Sequence, residues 1–209
     1  MTPVRTARVL ATRVLATRVL AAGAVVLALV ALVGNALVDA TLPLLGLGFT
    51  AVAPAFELRT LERRASGAQR ALVAEVALIR PVTVAGRTYR PDPRGTAWSS
   101  TPAGHVLLLP ALATVFVFGW PAAGAREWVV RLTVAAGGLM PLVALDVPTV
   151  LASGVWELFP GAAPRSGLTG AWGAFMGGGG RVALAVVLAA VAVTAGHRLA
   201  ARQGRRRGR

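Results

Sequence analysis

The feature that most constrains this chain is a stretch of twenty residues without a charge, residues 19–38. At 1.5 Å per residue, a helix of this length covers a hydrocarbon core about 30 Å thick. A secretory signal peptide also follows a basic start, but its apolar region is only about 7 to 15 residues long. The run here is longer and continues through residues 41–49. It therefore predicts an uncleaved first transmembrane helix over residues 19–46.

Three further apolar runs predict three more spans. Only 14% of the residues are charged, against about 25% in soluble domains, so lipid is the expected solvent. The spans are predicted at residues 105–121, 132–156 and 181–197. Trp120 suits an interfacial aromatic belt, and membrane helices tolerate prolines such as Pro141. The fourth run is the shortest, and flanking arginines would have to extend to the interface.

Residues 53–104 are the most polar part of the chain and the candidate for a module outside the membrane. They hold eight of the 22 arginines and four of the eight acids. Apolar residues spaced by three and four predict a short amphipathic helix: Leu58, Leu61, Ala65, Ala68 and Leu72. Downstream, Ala85 and Gly86 separate two β-prone runs, which predicts a β-hairpin. Because about fifty residues is near the lower limit for independent stability, the module is expected to rest on the membrane surface or on a partner.

The arginines predict the orientation. Residues 1–18 contain a basic Arg-Val-Leu-Ala-Thr repeat, and residues 198–209 contain six arginines. Cytoplasmic flanks carry such an excess, so both termini and the loop 122–131 are expected in the cytoplasm. The segment 53–104 and a Gly/Pro-rich loop, 157–180, are then extracytoplasmic. The arginines of 53–104 oppose this orientation, but most are mixed with acids and lie farther from span ends.

The predicted fold class is therefore mostly α, a four-helix transmembrane protein with a small strand-containing extracytoplasmic segment between helices 1 and 2. The expected location is the inner, cytoplasmic membrane of a bacterium. A net charge of +14 would suit nucleic acid or anionic lipid in the abstract. The arginines that carry this charge lie beside the predicted spans, which favours the lipid bilayer as their partner. No nucleic-acid partner is expected.

Polar residues at membrane depth are the candidate site residues, because burying a charge there costs roughly 2.5 to 3.5 kcal/mol. They are Asn35, Asp39, Arg131, Asp146 and Arg181. Asp146 has apolar sequence on both sides. In a structural interpretation it pairs with an arginine or another donor on a neighbouring helix. In a functional one it carries protons or binds a partner's cation.

The sequence offers no catalytic or metal-binding constellation. Cysteine is absent and the two histidines, His105 and His197, lie far apart, so a metal site lacks ligands. No Gly-x-Ser-x-Gly elbow is present, and the glycines at 177–180 lack the Lys and Ser or Thr of a phosphate loop. Asp39 and Asp146 lack the flanking motifs of intramembrane aspartyl proteases. We expect a protein that is not an enzyme and has no cofactor or metal.

Several C-terminal motifs resemble a known group of proteins. They are Leu-Asp-Val-Pro-Thr-Val-Leu at 145–151, Trp156-Glu157, Trp172 and Gly-Gly-Gly-Arg at 178–181. With the plan of an anchor, a small outer segment and three spans, they are similar to small membrane proteins associated with bacterial exosortases, the polytopic protein-sorting transpeptidases. Exosortases use a membrane-embedded cysteine with arginine and histidine partners. This chain has no cysteine, so the resemblance implies an accessory role.

The expected function is thus a partner-binding component of a protein-sorting or envelope-assembly system. Its partner would be a membrane protein or further copies of the same chain. The alternative is a small oligomeric transporter or channel subunit that uses Asp146.

The orientation predicts a labelling pattern for single cysteines introduced into this cysteine-free chain. With an impermeant maleimide on intact cells, Ser66→Cys, Ser100→Cys and Ser166→Cys should label, and Gln203→Cys should be protected because anionic lipid retains basic flanks inside. Gln203→Cys should label after permeabilisation. Protection at 66 and 100 with labelling at 203 would invert the orientation. Labelling at both 166 and 203 in intact cells would mean that the fourth run does not cross.

Overall fold

The computed structural model describes residues 3–66, 69–160 and 168–207. The chain is mostly helical with a small sheet, and this level of the predicted fold class is confirmed. The helices are α1 Pro3–Val52, α2 Gly104–Gly119, α3 Ala125–Trp156, α4 Leu168–Phe175 and α5 Arg181–Arg207, with a π-helical turn at Met176–Gly180. The strands are β1 Phe56–Ser66, β2 Gln69–Leu78, β3 Val82–Val84, β4 Arg87–Tyr89 and β5 Ala97–Pro102.

Within the described residues, three helical segments are long and apolar enough to cross a membrane. They are Arg13–Val52, Ala125–Trp156 and Gly170–Leu199, and Gly104–Gly119 is a shorter apolar helix. The predicted loop 122–131 is wrong in extent, because α3 already begins at Ala125. There the carboxylate of Glu127 accepts a hydrogen bond from the Ala123 N–H at 2.8 Å, which satisfies a donor near the helix start.

The short amphipathic helix predicted across residues 58–72 is wrong. Of these residues, 58–66 lie in β1 and 69–72 in β2, and Ala68 lies outside the described residues. The two strands are an antiparallel pair whose register runs from Phe56 opposite Leu78 to Ser66 opposite Gln69. Leu72, Ala74 and Val76 alternate inward and are fully buried, so the period of two in β2 prevails over the spacing of three and four. Strand β5 pairs with β2, giving the order β1-β2-β5.

The predicted strand, turn and strand is present as β3 and β4, with Val82 opposite Tyr89. The turn residues Ala85 and Gly86 have φ of 48° and 78°. Two consecutive positive φ values match the two-residue turn whose twist suits a hairpin.

The predicted loop 157–180 is partly helical, which corrects its assignment as a loop. Helix α4 and the π-helical turn Met176–Gly180 lead into α5. Gly179 has φ of 106°, a conformation that residues with a Cβ rarely adopt. The run of glycines therefore lets the chain bend inside a nearly continuous helical segment. Residues 161–167 of the predicted loop lie outside the described residues.

The chain divides into two compact units, each built from discontinuous segments. What we call the sheet unit contains all five strands, and what we call the helical unit contains helical segments and the α2–α3 connection. In described residues, the helical unit comprises 3–34, 108–140 and 182–207, and the sheet unit comprises 35–66, 69–107, 141–160 and 168–181.

The core of the sheet unit combines helix and strand side chains. Leu45 and Phe49 of α1, Leu72 of β2 and Leu151 of α3 are fully buried in one apolar cluster. Phe56 joins it with an edge-to-face contact to Trp156, the ring centroids being 5.1 Å apart. Since burying one such side chain contributes about 1.5 to 3 kcal/mol, this cluster holds the sheet against α1 and α3.

In the helical unit, small residues carry the helix contacts. Ala189 and Ala192 of α5 lie in one cluster with Val117 of α2 and Ala135 of α3. A Cβ on Gly138 would collide with the side chain of Leu188. Small residues at such contacts allow the close helix approach that is common in membrane proteins.

Gly48 and Gly46 of α1 form a matched pair for testing the packing in the sheet unit. A Cβ at Gly48 would overlap the backbone of Ala144, whereas one at Gly46 would make an ordinary 3.6 Å contact with Leu58. Both substitutions by alanine gain helix propensity, so their difference reports on packing. We expect Gly48→Ala to destabilise by about 1 to 3 kcal/mol and Gly46→Ala to be neutral or stabilising, measured by thermal unfolding in detergent. Equal midpoints would contradict the close approach.

Candidate functional site

The sheet unit contains a buried ion pair between α3 and the start of α5. Arg181 donates from Nε to Asp146 Oδ2 at 2.7 Å and from Nη2 to Oδ1 at 3.0 Å. Both residues are buried, Asp146 with 2% and Arg181 with 9% of its surface exposed. Of the two interpretations of Asp146, pairing with an arginine is the one present. The guanidinium binds both carboxylate oxygens, so the carboxylate is already neutralised by a fork-to-fork contact.

One helical turn further along α3 the same face lines a cavity. The cavity has a volume of about 580 Å³, within the usual range for small-ligand sites. Asp146, Val150 and Ser153 recur at intervals of three and four residues, so they share one side of α3. Glu157 directly follows the helix and continues this row, because its N–H still donates to the Ser153 carbonyl at 3.0 Å. The ion pair therefore lies next to the inner end of this row, and Glu157 lies at its outer end.

The opposite wall of the cavity is built from glycines and from the sheet. Gly170 and Gly173 come from α4, Gly177 from the π-helical turn, and Ser100 from β5. At Gly173 and Gly177 an added Cβ would meet no atom within 4 Å. The helix backbone is thus exposed to the cavity on this side, which leaves room for a ligand to approach closely.

Glu157 is the charged residue of the cavity lining. In the described part of the chain no arginine forms an ion pair with it, whereas Asp39, Glu62, Glu127 and Asp146 each have an arginine partner. A carboxylate at the mouth of a cavity otherwise lined by serines, glycines and small apolar residues favours a cationic or amine group in a ligand.

Asn35 and Asp39 meet on the surface of the sheet unit through Arg63 of β1. Arg63 donates to both Asp39 oxygens at 3.0 and 2.8 Å and to Asn35 Oδ1 at 2.8 Å. Solvent reaches both side chains, Asp39 more than Arg63, so water screens the pair and its contribution to stability is small. The structure pairs Asp39 and Asp146 with different arginines, Arg63 and Arg181.

Arg131 lies in the helical unit in a second buried network. Its Nη atoms donate to the carbonyls of Trp120 and Pro121, both at 2.8 Å, and it forms an ion pair with Glu127. His197 of α5 contacts the same carboxylate at 2.9 Å. A Cβ at Gly196 would press on the Arg131 side chain. These contacts fix the α2–α3 connection against α5, which is a structural role.

No family model, no curated protein and no solved structure matches this chain.

The residues that the sequence does not indicate are mostly those that contact the candidate residues, not the candidate residues themselves. Arg63 stands in the polar segment 53–104 and Glu127 in the predicted loop 122–131, so the sequence does not indicate either as the counter-ion of a candidate residue. His197 ends the fourth predicted span, and Glu157 appears only in a motif of the C-terminal resemblance. Among the described residues no group of three or more His, Asp or Glu side chains is placed to hold a metal ion.

The Asp146–Arg181 pair predicts strong coupling between the two positions. Asp146→Asn or Arg181→Gln alone should destabilise by about 3 to 5 kcal/mol, because each leaves a buried charge without its partner. Asp146→Leu combined with Arg181→Met should recover most of that loss. Glu62→Gln, which removes an exposed partner of Arg64, is the control and should change little. Thermal unfolding in detergent measures these effects, and a fully stable Asp146→Asn variant would contradict the coupling.

Proposed function

We propose that this chain is a non-enzymatic integral protein of a bacterial inner membrane that binds a partner at the cavity of its sheet unit. The partner belongs to a protein-sorting or envelope-assembly system, in keeping with the motifs at 145–151 and 178–181. The observation that carries the proposal is the cavity of about 580 Å³ with Glu157 at its mouth and exposed helix backbone along one wall.

Membrane insertion is supported by where the large apolar side chains lie. Leu20, Leu27 and Leu32 of α1 are 74%, 69% and 79% exposed. Soluble monomers rarely expose contiguous apolar surface of more than a few hundred Å², whereas lipid accepts it. Residues 3–34 and 182–207 belong to one unit, which agrees with a common side for both termini. We assign that side to the cytoplasm because of its arginines.

The alternative of a transporter or channel subunit needs Asp146 to exchange protons or ions. Both of its carboxylate oxygens accept hydrogen bonds from Arg181, which favours a structural role. Flux in reconstituted vesicles that Asp146→Asn abolishes, in a variant that remains folded, would support the alternative instead.

Site-specific photo-crosslinking in native membranes tests the partner proposal. A photoreactive amino acid at Ser100, inside the cavity, should give a discrete adduct, and one at Thr88 of the exposed hairpin should not. Glu157→Arg should lower the adduct yield by about tenfold or more, since placing like charges together costs several kcal/mol. Glu57→Arg, an exposed charge reversal on β1, should leave the yield unchanged. Uncrosslinked monomer alone at Ser100 would refute the proposal.

A further inference from the structure

The helical unit carries an apolar groove with a volume of about 340 Å³. It is lined by Leu15 and Val19 of α1, Phe116 of α2, Trp120 directly after α2, and Ala190 and Val193 of α5. Thr194 is a polar residue of this lining. The groove therefore offers an apolar ligand a largely apolar surface formed by α1, α2 and α5.

Two arginines flank the groove. Arg18 lies one turn from Leu15 on α1, and Arg198 lies one turn beyond Thr194 on α5, so each shares a helix face with a lining residue. Both arginines are exposed. Trp120 is half-exposed and has the amphipathic ring that prefers the lipid headgroup region. An apolar seat with cations at its edge complements a molecule with an apolar tail and an anionic head.

The charges beside the groove favour a lipid over an apolar helix as its occupant. An apolar helix would leave the two exposed arginines without a counter-ion, whereas an anionic headgroup supplies one. An acyl chain fills the apolar part of the groove and needs no polar partner. We propose that this groove binds an acyl chain of an anionic phospholipid whose phosphate lies between Arg18 and Arg198.

Native mass spectrometry of the full chain in mild detergent tests this site. The protein is mixed with equal amounts of phosphatidylglycerol and phosphatidylcholine of identical chain length. Wild type should retain one phosphatidylglycerol with a preference of about tenfold or more, as two arginines near an anionic headgroup imply. Arg18→Gln with Arg198→Gln should remove the preference. Arg87→Gln, an exposed arginine on β4, should preserve it.

A second pair of variants tests the acyl seat. Ala190→Phe fills the groove and should lower retention of both lipids, whereas Val187→Phe, on the exposed side of α5, should not. Inorganic phosphate alone should give no thermal stabilisation, because it lacks the acyl chain that contacts the apolar groove. Equal retention by wild type and the double arginine variant would overturn the proposal. A second result would also overturn it. If the protein is a dimer that Ala190→Phe dissociates and that added lipid leaves unchanged, the groove holds a second copy of the chain and not a lipid.

Discussion

The arrangement of the sheet unit depends on one constraint: a charged side chain that is buried away from water needs a partner of opposite charge. Asp146 and Arg181 are 35 positions apart in the sequence, and both are largely shielded from water. An isolated buried ion costs several kcal/mol even after relaxation, so α3 and the start of α5 must present these side chains to each other. That requirement fixes the rotation of α3, and with it the direction of Val150 and Glu157. The geometry of the cavity wall is therefore a consequence of the ion pair.

The same rule accounts for Arg131 in the helical unit, with a different solution. There the counter-ion, Glu127, is one turn away on the same helix, and the backbone carbonyls of Trp120 and Pro121 accept hydrogen bonds from the two Nη atoms. Gly196 leaves room for the guanidinium stem. Arginine suits both networks because its planar fork binds both oxygens of Asp146 in one case and a carboxylate together with two carbonyls in the other. Some of the arginines behind the large positive net charge are therefore structural, and composition alone does not show which ones.

Helices α1, α2, α3 and α5 could be predicted from the sequence, because long uncharged runs have few other solutions. Helix α4 has only eight residues in a Gly/Pro-rich stretch and could not. The β3–β4 hairpin could be predicted from its turn, but the three-stranded sheet could not, since residues 58–72 satisfy a helical spacing while Leu72, Ala74 and Val76 satisfy a period of two. The choice is made by pairing with β5 and by burial against α1, which are both non-local. The polar candidate residues could also be predicted, because a charged or polar residue inside a long apolar run is costly to bury and therefore stands out. Their partners Arg63 and Glu127 were missed because each stands in locally polar sequence.

Helix α1 is longer than one membrane crossing requires. The candidate span Arg13–Val52 has 40 residues, about 60 Å of helix, roughly twice the thickness of a hydrocarbon core. If residues 19–38 cross the bilayer, the remaining apolar length has no lipid to face. Leu45 and Phe49 in that surplus are fully buried in the core of the sheet unit. A polar segment of about fifty residues, near the lower limit for burying an adequate core alone, thereby uses the end of α1 as part of its own interior.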